Sequence, residues 1–272
     1  MMAKLTGIGV AGCGRMGEPM LQALINAGFD ALGYDVRPCE NYTKIAPFMT
    51  NDITVFSNRL ETLITVVRDT DQTDDVLFGA QSFAKAPNLE TIIICSTLSP
   101  RYVRDLRNRV SEHITLIDAP MSGARIAAEK AELSFMLGGG LEDLGSIQPL
   151  LSSMGAHFHH MGEYGSGMSA KVLNNMLAAS NTAMTRLVLD WADQQGISER
   201  KLLDLIATSS GQNWLASGMD TIEFARDGYS LDNTIGIIEK DVKSALDDAP
   251  DNADTALPEA VIEAIRGLKP RS

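Results

Sequence analysis

Short apolar runs alternate with helical patterns through the first 160 residues. Between the first two runs, apolar residues recur on one helical face at Met16, Met20 and Leu24, with Leu21 and Ala27 beside them. Strands that alternate with helices predict a parallel sheet with helices on both faces, which is a doubly wound α/β domain. The strands are expected at Leu5–Ala11, Ala31–Asp35, Leu63–Val67, Thr91–Cys95, Thr115–Asp118, Ser134–Leu137 and His157–His160.

The pattern changes after the glycines at 165 and 167. Neither Pro nor Gly occurs over residues 168–195, and apolar residues recur there at helical spacing, which predicts one helix of about 28 residues and roughly 42 Å. No strand pattern follows it. We therefore predict an α/β domain over residues 1–162 and an all-helical domain over residues 163–272. Further helices are expected at Glu199–Ala207, Trp214–Arg226, Ile235–Leu246 and Pro258–Gly267, with a loop at Asp247–Asp254.

Charge and composition exclude several classes of partner. The chain carries 35 acidic and 23 basic residues, a net charge of −12, which repels phosphate backbones and argues against nucleic-acid binding. No run of 18 apolar residues is present, so no membrane span is expected. The N-terminus lacks the pattern of a secretory signal, and three scattered cysteines suit a reducing compartment. These features predict a cytoplasmic protein.

A glycine-rich turn joins the first predicted strand to the first predicted helix. Gly12, Gly14 and Gly17 have the G-x-G-x-x-G spacing. Gly12 permits a tight turn, Gly14 lets the backbone approach a pyrophosphate, and Gly17 lets the helix pack closely on the sheet, while the helix N-terminus supplies amide donors. The candidate cofactor contacts in this turn are Gly12, Cys13, Gly14, Arg15, Met16 and Gly17.

An acidic residue completes this pattern. Asp35 closes the second predicted strand 18 residues past Gly17, near the spacing expected for a carboxylate that binds the adenine ribose. The combination predicts a Rossmann-type dinucleotide-binding domain. The carboxylate would accept ribose hydroxyls and repel a 2′-phosphate, which favours NAD over NADP. Arg37 leaves NADP open because it could swing toward a phosphate; the other interpretation makes Arg37 a solvated loop residue.

Polar residues interrupt the apolar face at the start of the long predicted helix. Lys171, Asn174 and Asn175 have i, i+3 and i+4 spacing and so share one side of the helix. A substrate would provide the polar contacts that this side requires. A lysine held away from bulk water can lose its proton near neutral pH and then accept the hydroxyl proton of an alcohol. The alternative is a structural lysine at a helix start, with amides that cap backbone.

A metal site is a weaker hypothesis. His157 and His159 would share one face of a strand, as a chelating pair requires. No third ligand occurs at a suitable spacing. We expect no metal.

Four segments in order along the chain resemble the 3-hydroxyisobutyrate dehydrogenase-like β-hydroxyacid dehydrogenase family, within the 6-phosphogluconate dehydrogenase superfamily. Residues 9–20 are similar to its glycine loop and residues 118–139, which begin DAPMSGA, to its substrate-binding segment. Residues 165–175, GSGMSAKVLNN, match its catalytic lysine motif, and residues 239–242, EKDV, resemble its Lys-Asp-Leu segment. The resemblance implies an enzyme that transfers hydride between a nicotinamide dinucleotide and a small 3-hydroxy acid or semialdehyde.

The resemblance also implies roles for single residues. Lys171 would be the general acid/base and Asn175 would hydrogen-bond the substrate. Ser122 and Gly123 would bind its carboxylate. The implied contacts to the cofactor lie at Val67, Arg68, Thr97 and Lys240, and Lys240 would also favour an anionic substrate. For Lys240 the structural alternative is an exposed ion pair with Glu239 or Asp241.

Some residues depart from the family pattern. Relatives usually have Gly where this chain has Ala124, in the substrate-binding segment, and Ala127, so added methyl groups would narrow the pocket. Arg68 stands where relatives often have Pro, and the last helical segments look shortened. Apolar residues on more than one face of the long helix predict a homodimer or homotetramer. The rival hypothesis is a non-catalytic dinucleotide-binding sensor or interaction module on the same fold.

Overall fold

Nine strands within residues 5–171 form one sheet in the computed structural model, which describes residues 5–271. The strands are β1 (Ile8–Ala11), β2 (Ala31–Tyr34), β3 (Met49–Thr50), β4 (Thr62–Thr65), β5 (Thr91–Ile94), β6 (Thr115–Asp118), β7 (Met121–Ser122), β8 (Leu133–Gly138) and β9 (Gly155–Gly162). Their order is β3-β2-β1-β4-β5-β6-β8-β7, and β9 pairs with β8. The chain divides into two units, one ending at Lys171 and the other beginning at Val172.

The helices of the first unit cover both faces of this sheet. They are α1 (Gly17–Asn26), α2 (Ile53–Arg59), α3 (Thr70–Leu77), α4 (Pro100–Arg109), α5 (Ala124–Glu129), α6 (Leu141–Met154) and the first turn of α7 (Ser166–Gln194). Neighbouring residues of one strand belong to different hydrophobic cores. Ile64 and Ile93 pack in one core cluster, and Leu63 and Ile92 pack in another. Strands buried on both faces are typical of a parallel α/β sheet.

The predicted fold class is confirmed, with one difference at the edge of the sheet. Strands β1 to β6 pair in parallel, but β8 runs antiparallel to β6 and to β7. The connection from β6 to β8 carries the short strand β7 and helix α5 and returns the chain in the opposite direction. Strands β3 and β7 have only two residues each and were not predicted, because two residues show no period.

Strand β1 lies between β2 and β4, so successive connections leave it in opposite directions across the sheet. In open α/β sheets this change of direction leaves a crevice at the carboxyl ends of the strands, where ligands bind. The segments that follow β1, β2, β4 and β5 all lie at this edge because these strands are parallel.

The second unit is helical over residues 172–271, with no strand among them. It contains the rest of α7, then α8 (Glu199–Ala207), α9 (Trp214–Ser217), α10 (Thr234–Asp247) and α11 (Ala256–Arg266). The predicted helix over Trp214–Arg226 is wrong beyond Ser217. The chain turns at Gly218, against which the side chain of Ile222 packs so closely that a Cβ on Gly218 would collide with it.

A buried arginine connects several segments of the second unit through hydrogen bonds to backbone carbonyls. Arg186 is 2% exposed and donates through Nη1 to the carbonyls of Ala225 and Asp227, both at 2.9 Å, and through Nη2 to the carbonyl of Lys269. Buried backbone carbonyls at helix ends and turns require such donors. None of the helices between residues 5 and 271 combines the length and apolar character that a bilayer crossing requires.

Candidate functional site

The glycine turn has the backbone geometry that a dinucleotide requires. Gly12 has φ +91°, and a Cβ there would lie 2.7 Å from the carbonyl oxygen of Val66. A Cβ on Gly17 would collide with the carbonyl of Gly12. Residues larger than glycine are therefore excluded at both positions by the protein itself. Gly12 has a left-handed backbone, and Gly17 lies where the helix approaches the strand closely.

Gly14 differs from its two neighbours because the space beside it is open. A Cβ on Gly14 would approach only Nη2 of Arg37, at 4.0 Å. Helix α1 begins next to it, and Met16 at its N-cap provides no side-chain hydrogen bond to the first turn. Backbone amides at a helix N-terminus beside open space suit an anionic group. These residues fit the pyrophosphate of a dinucleotide.

Asp35 and Arg37 form an ion pair directly after β2. Asp35 is 8% exposed, and Arg37 donates to its carboxylate from Nε at 3.1 Å and from the backbone amide at 3.0 Å. Nη2 of Arg37 also donates to Oδ2 of Asp35 at 3.2 Å, to the carbonyl of Cys13 at 2.9 Å and to the hydroxyl of Tyr42 at 2.7 Å. Burial raises the pKa of Asp35, but the hydrogen bonds from Arg37 outweigh it and lower the pKa below its ordinary value.

The interpretation of Arg37 as a merely solvated loop residue is therefore wrong. The side chain of Arg37 is half exposed, but it forms an ion pair with Asp35 and donates a hydrogen bond to the carbonyl of Cys13 in the glycine turn. Cys13, in that turn, is fully buried and packs against the sheet. Burial raises the pKa of its thiol above the ordinary value. Cys13 can contribute only backbone atoms to a ligand.

The loops after β4 and β5 are joined beside the glycine turn. The amide of Val67 donates to the hydroxyl of Ser96 at 2.9 Å, and a Cβ on Gly12 would lie 2.7 Å from Cγ1 of Val67. Thr97 follows Ser96 and is half-buried, whereas Arg68 is exposed. The structure thus brings Gly12, Val67 and Thr97 to one edge of the sheet.

The predicted substrate segment contains strained backbone. Ser122 ends β7, and Gly123 follows with φ +135° and a Cα so close to Ala127 that a Cβ would lie 2.5 Å from its methyl group. Ala124 has φ +54°, in the left-handed region that favours glycine. Gly123 and Ala124 are exposed. Strain at a non-glycine residue is common at ligand sites.

Lys171 lies in the second turn of α7 and is 7% exposed. The long helix was predicted over residues 168–195 and is present over Ser166–Gln194. Asp118, at the end of β6, was not singled out by the sequence; its buried carboxylate binds two amides at the start of this helix, those of Gly165 and Met168. The signal available was an acid closing a buried strand.

The two asparagines of the motif differ in environment. Asn174 is exposed and its amide donates to Oδ1 of Asn175 at 3.3 Å. Asn175 is half-buried and donates to Oδ2 of Asp241 at 2.6 Å. Nζ of Lys240 lies 3.0 Å from Oδ1 of the same Asp241, so an ion pair is present, but the Asp241 carboxylate is only 6% exposed and the pair is not the exposed one considered as the structural alternative. Asp241 was not predicted as a site residue, although it connects two that were.

A metal site has no support within residues 5–271. No group of three or more His, Cys, Asp or Glu side chains there is arranged to hold a metal ion. His157 and His159 are exposed on β9. Neither observation adds a ligand to the pair considered from the sequence.

A doubly wound sheet with this glycine turn and terminal acid, followed by a helical unit, is typical of an NAD(P)-binding protein. Residues 7–162 match the family described as "NAD binding domain of 6-phosphogluconate dehydrogenase". Residues 165–265 match "NAD-binding of NADP-dependent 3-hydroxyisobutyrate dehydrogenase". The chain belongs to the 3-hydroxyisobutyrate dehydrogenase-like β-hydroxyacid dehydrogenase family, and its cofactor is NAD(P). The predicted family and the prediction of a nicotinamide dinucleotide as cofactor are confirmed; the preference for NAD over NADP stays a prediction.

Known proteins from several organisms share this similarity. The mitochondrial 3-hydroxyisobutyrate dehydrogenase of Rattus norvegicus is 29% identical over 236 residues, covering 85% of this chain and 70% of the relative. The L-threonate dehydrogenase of Cupriavidus necator is 27% identical over 247 residues, covering 89% and 83%. The structure of a Mycobacterium tuberculosis 3-hydroxyisobutyrate dehydrogenase with L-serine matches with a TM-score of 0.78 at 24% identity, covering 95% and 92%, and supports the fold.

Proposed function

We propose that the chain transfers hydride between NAD and a small 3-hydroxy acid or its semialdehyde, with Lys171 as general acid/base. The observation that carries the proposal is a lysine only 7% exposed near the start of α7, in a member of a hydroxyacid dehydrogenase family. Lysine is almost never buried to this extent unless polar or charged groups surround its amine.

The proposed chemistry gives each group one task. In the oxidative direction Nζ of Lys171, as the neutral amine, accepts the hydroxyl proton of the substrate. The hydrogen on the carbon that carries this hydroxyl leaves with its electron pair as hydride, and the C–O single bond becomes a carbonyl double bond. When bound, NAD⁺ supplies the acceptor for that hydride. In the reductive direction the ammonium form of Lys171 returns the proton to the carbonyl oxygen.

The residues around the glycine turn support NAD as the preferred form of the cofactor. Asp35 would accept the adenine ribose hydroxyls, and its negative charge would oppose a 2′-phosphate. Arg37 is engaged by Asp35 through Nε at 3.1 Å, which reduces its capacity to bind a phosphate. The remaining proposed cofactor contacts are Gly12, Cys13, Gly14, Arg15, Met16, Gly17, Val67, Arg68, Thr97 and Lys240.

The substrate would be held through its carboxylate by Ser122 and the amide of Gly123, with Asn174 and Asn175 as further hydrogen-bonding groups. The methyl group of Ala124 stands where relatives usually have none, which favours a small substituent next to the carboxylate. We propose a short hydroxy acid or semialdehyde as the partner.

The test is a spectrophotometric screen at 340 nm with NAD(H) and NADP(H) against a panel of 3-hydroxy acids and semialdehydes. Lys171→Ala should lower kcat by about 10²–10⁴ on the best substrate. Its dissociation constant for NADH should stay within about threefold of the parent value. Lys201→Ala, on the exposed surface of α8, is the matched control and should keep full activity. NADH binding without turnover on any panel member would favour the non-catalytic sensor.

We also propose that a second copy of the chain covers one face of α7. Large apolar side chains are 42–67% exposed there at spacings of three, four and seven residues: Leu173, Leu177, Met184, Leu187 and Trp191. No charged residue occurs over residues 172–185, which hold Leu173, Leu177 and Met184, and exposed apolar patches of this kind are typical of protein–protein contacts. Sedimentation should give a dimer or tetramer that Leu177→Glu dissociates; a monomeric parent protein would refute it. A cytoplasmic location stays a prediction.

A further inference from the structure

Asp118 presents a buried carboxylate to the start of the helix that carries Lys171. The residue ends β6 and is fully buried. Its Oδ1 accepts the amide of Gly165 at 2.7 Å, and its Oδ2 accepts the amide of Met168 at 2.6 Å. Amides in the first turn of a helix have no partner within the helix, so this carboxylate supplies what the local backbone lacks. In its ionised form the side chain also complements the helix dipole.

Glycines on two sides make room for this carboxylate. A Cβ on Gly167, in the first turn of α7, would lie 2.9 Å from Oδ2 of Asp118. A Cβ on Gly138, at the end of β8, would collide with Oδ1. The carboxylate therefore fills a space bounded by β8 and α7, and side chains larger than glycine at either position would displace it.

A second contact fixes the same turn of the helix. The side chain of Met168 is fully buried in a core cluster of the sheet, and its sulfur accepts the amide of Leu98 at 3.4 Å. The first turn of α7 is thus attached to β6 through a carboxylate and to the segment after β5 through a thioether. Lys171 follows Met168 by three residues, which is about 4.5 Å along the helix axis. Its backbone position is set by these attachments.

We infer that Asp118 is a positioning residue for Lys171: its carboxylate fixes the first turn of α7 and so the point from which the amine reaches the substrate. The inference rests on the proposed acid/base role of Lys171. A displacement of about 1 Å at a reacting group can cost about 10²-fold in rate. Loss of the carboxylate is therefore expected to reduce turnover without removing a group that touches the cofactor.

The experiment is a double-mutant cycle with Asp118→Asn and Lys171→Ala. The asparagine keeps the size of the side chain but presents an amide donor to one of the two backbone N–H groups. D118N should lower kcat by about 10- to 100-fold, with a dissociation constant for NADH within about threefold of the parent value. In the K171A background D118N should cause no further loss. The matched control is Asp52→Asn, since Asp52 accepts the amides of Thr54 and Val55 at the start of α2.

Each outcome has one meaning. Full activity in K171A overturns the proposed function, whereas an inactive K171A with a fully active D118N overturns only the positioning role. An equal loss in both backgrounds, or a comparable loss in D52N, means a general structural effect and also overturns it. Hydrogen exchange on the parent protein covers the case in which D118N does not fold: the amides of Gly165 and Met168 should be as protected as those of β5, and rapid exchange would contradict the inference.

Discussion

Replacing Ala124 by glycine should stabilise the protein and change its substrate preference. Ala124 has φ +54° and is exposed, so its methyl group is strained without contributing buried surface. A left-handed conformation costs a non-glycine residue about 1–2 kcal/mol, and glycine loses about 0.5–1 kcal/mol through its greater unfolded-state entropy. The net gain is about 0.5–1 kcal/mol in the free energy of unfolding. At about 2–4 °C per kcal/mol for a domain of 150–250 residues, the melting temperature should rise by about 1–4 °C.

Ala131 provides a matched control within the same chain. It has φ +56°, nearly the same backbone conformation, and lies outside the proposed carboxylate-binding residues. Urea denaturation should give similar gains for Ala124→Gly and Ala131→Gly. Only Ala124→Gly should change KM across the substrate panel, and it should lower KM for the substrates with larger substituents. A destabilised Ala124→Gly variant would refute the strain argument, and equal changes of KM in both variants would refute the proposed place of Ala124 beside the substrate.

Two further predictions concern charged groups. Asp35→Ser should raise the affinity for NADPH relative to NADH by at least about tenfold, or about 1.4 kcal/mol, because Arg37 is released from the carboxylate and the repulsion of a 2′-phosphate disappears; fluorescence titration measures both, and an unchanged ratio would exclude this residue as the determinant. Burial raises the pKa of Glu239, but hydrogen bonds from Arg266, Lys243 and Tyr229 outweigh it and bring the pKa to about 2, against 4.5 ordinarily. A lowered folded-state pKa stabilises above about pH 4.5, and that stabilisation is lost as the pH falls toward 2. Glu239→Gln should therefore show a shallower loss of stability than the parent protein between pH 4.5 and 2.5, and parallel curves would contradict the assignment.

Local patterns were sufficient for the long elements and for the dinucleotide-binding turn. Helix α7 was predictable because residues 168–195 contain no Gly or Pro and show a sustained apolar period, and the glycine turn because its spacing follows from backbone sterics. The helix predicted over Trp214–Arg226 ends at Ser217, where Gly218, a residue of low helix propensity, is the C-cap. The antiparallel direction of β8 depends on long-range pairing, which no local pattern shows.

Contacts between distant residues set the limits for the candidate site. Asp118 binds amides 47 and 50 residues later in the chain, and no local period reveals such a pair. Asp241 meets Asn175 across 66 residues. The strain at Ala124 was visible only as a departure from the family pattern, and its physical cause became clear from the backbone angle. Residue types and spacing thus identified candidate site residues, whereas the contacts that position those residues were visible only in the fold.

Chemical rescue of Lys171→Ala is the sharpest test of Lys171 as the general acid/base. In single-turnover reduction of the semialdehyde followed at 340 nm, the variant should lose about 10²–10⁴ of the rate, and added methylamine should restore part of it in proportion to its concentration, because a free amine can supply the missing proton transfer. Lys201→Ala should show the parent rate with or without methylamine. A Lys171→Ala variant that transfers hydride at the parent rate would contradict the account.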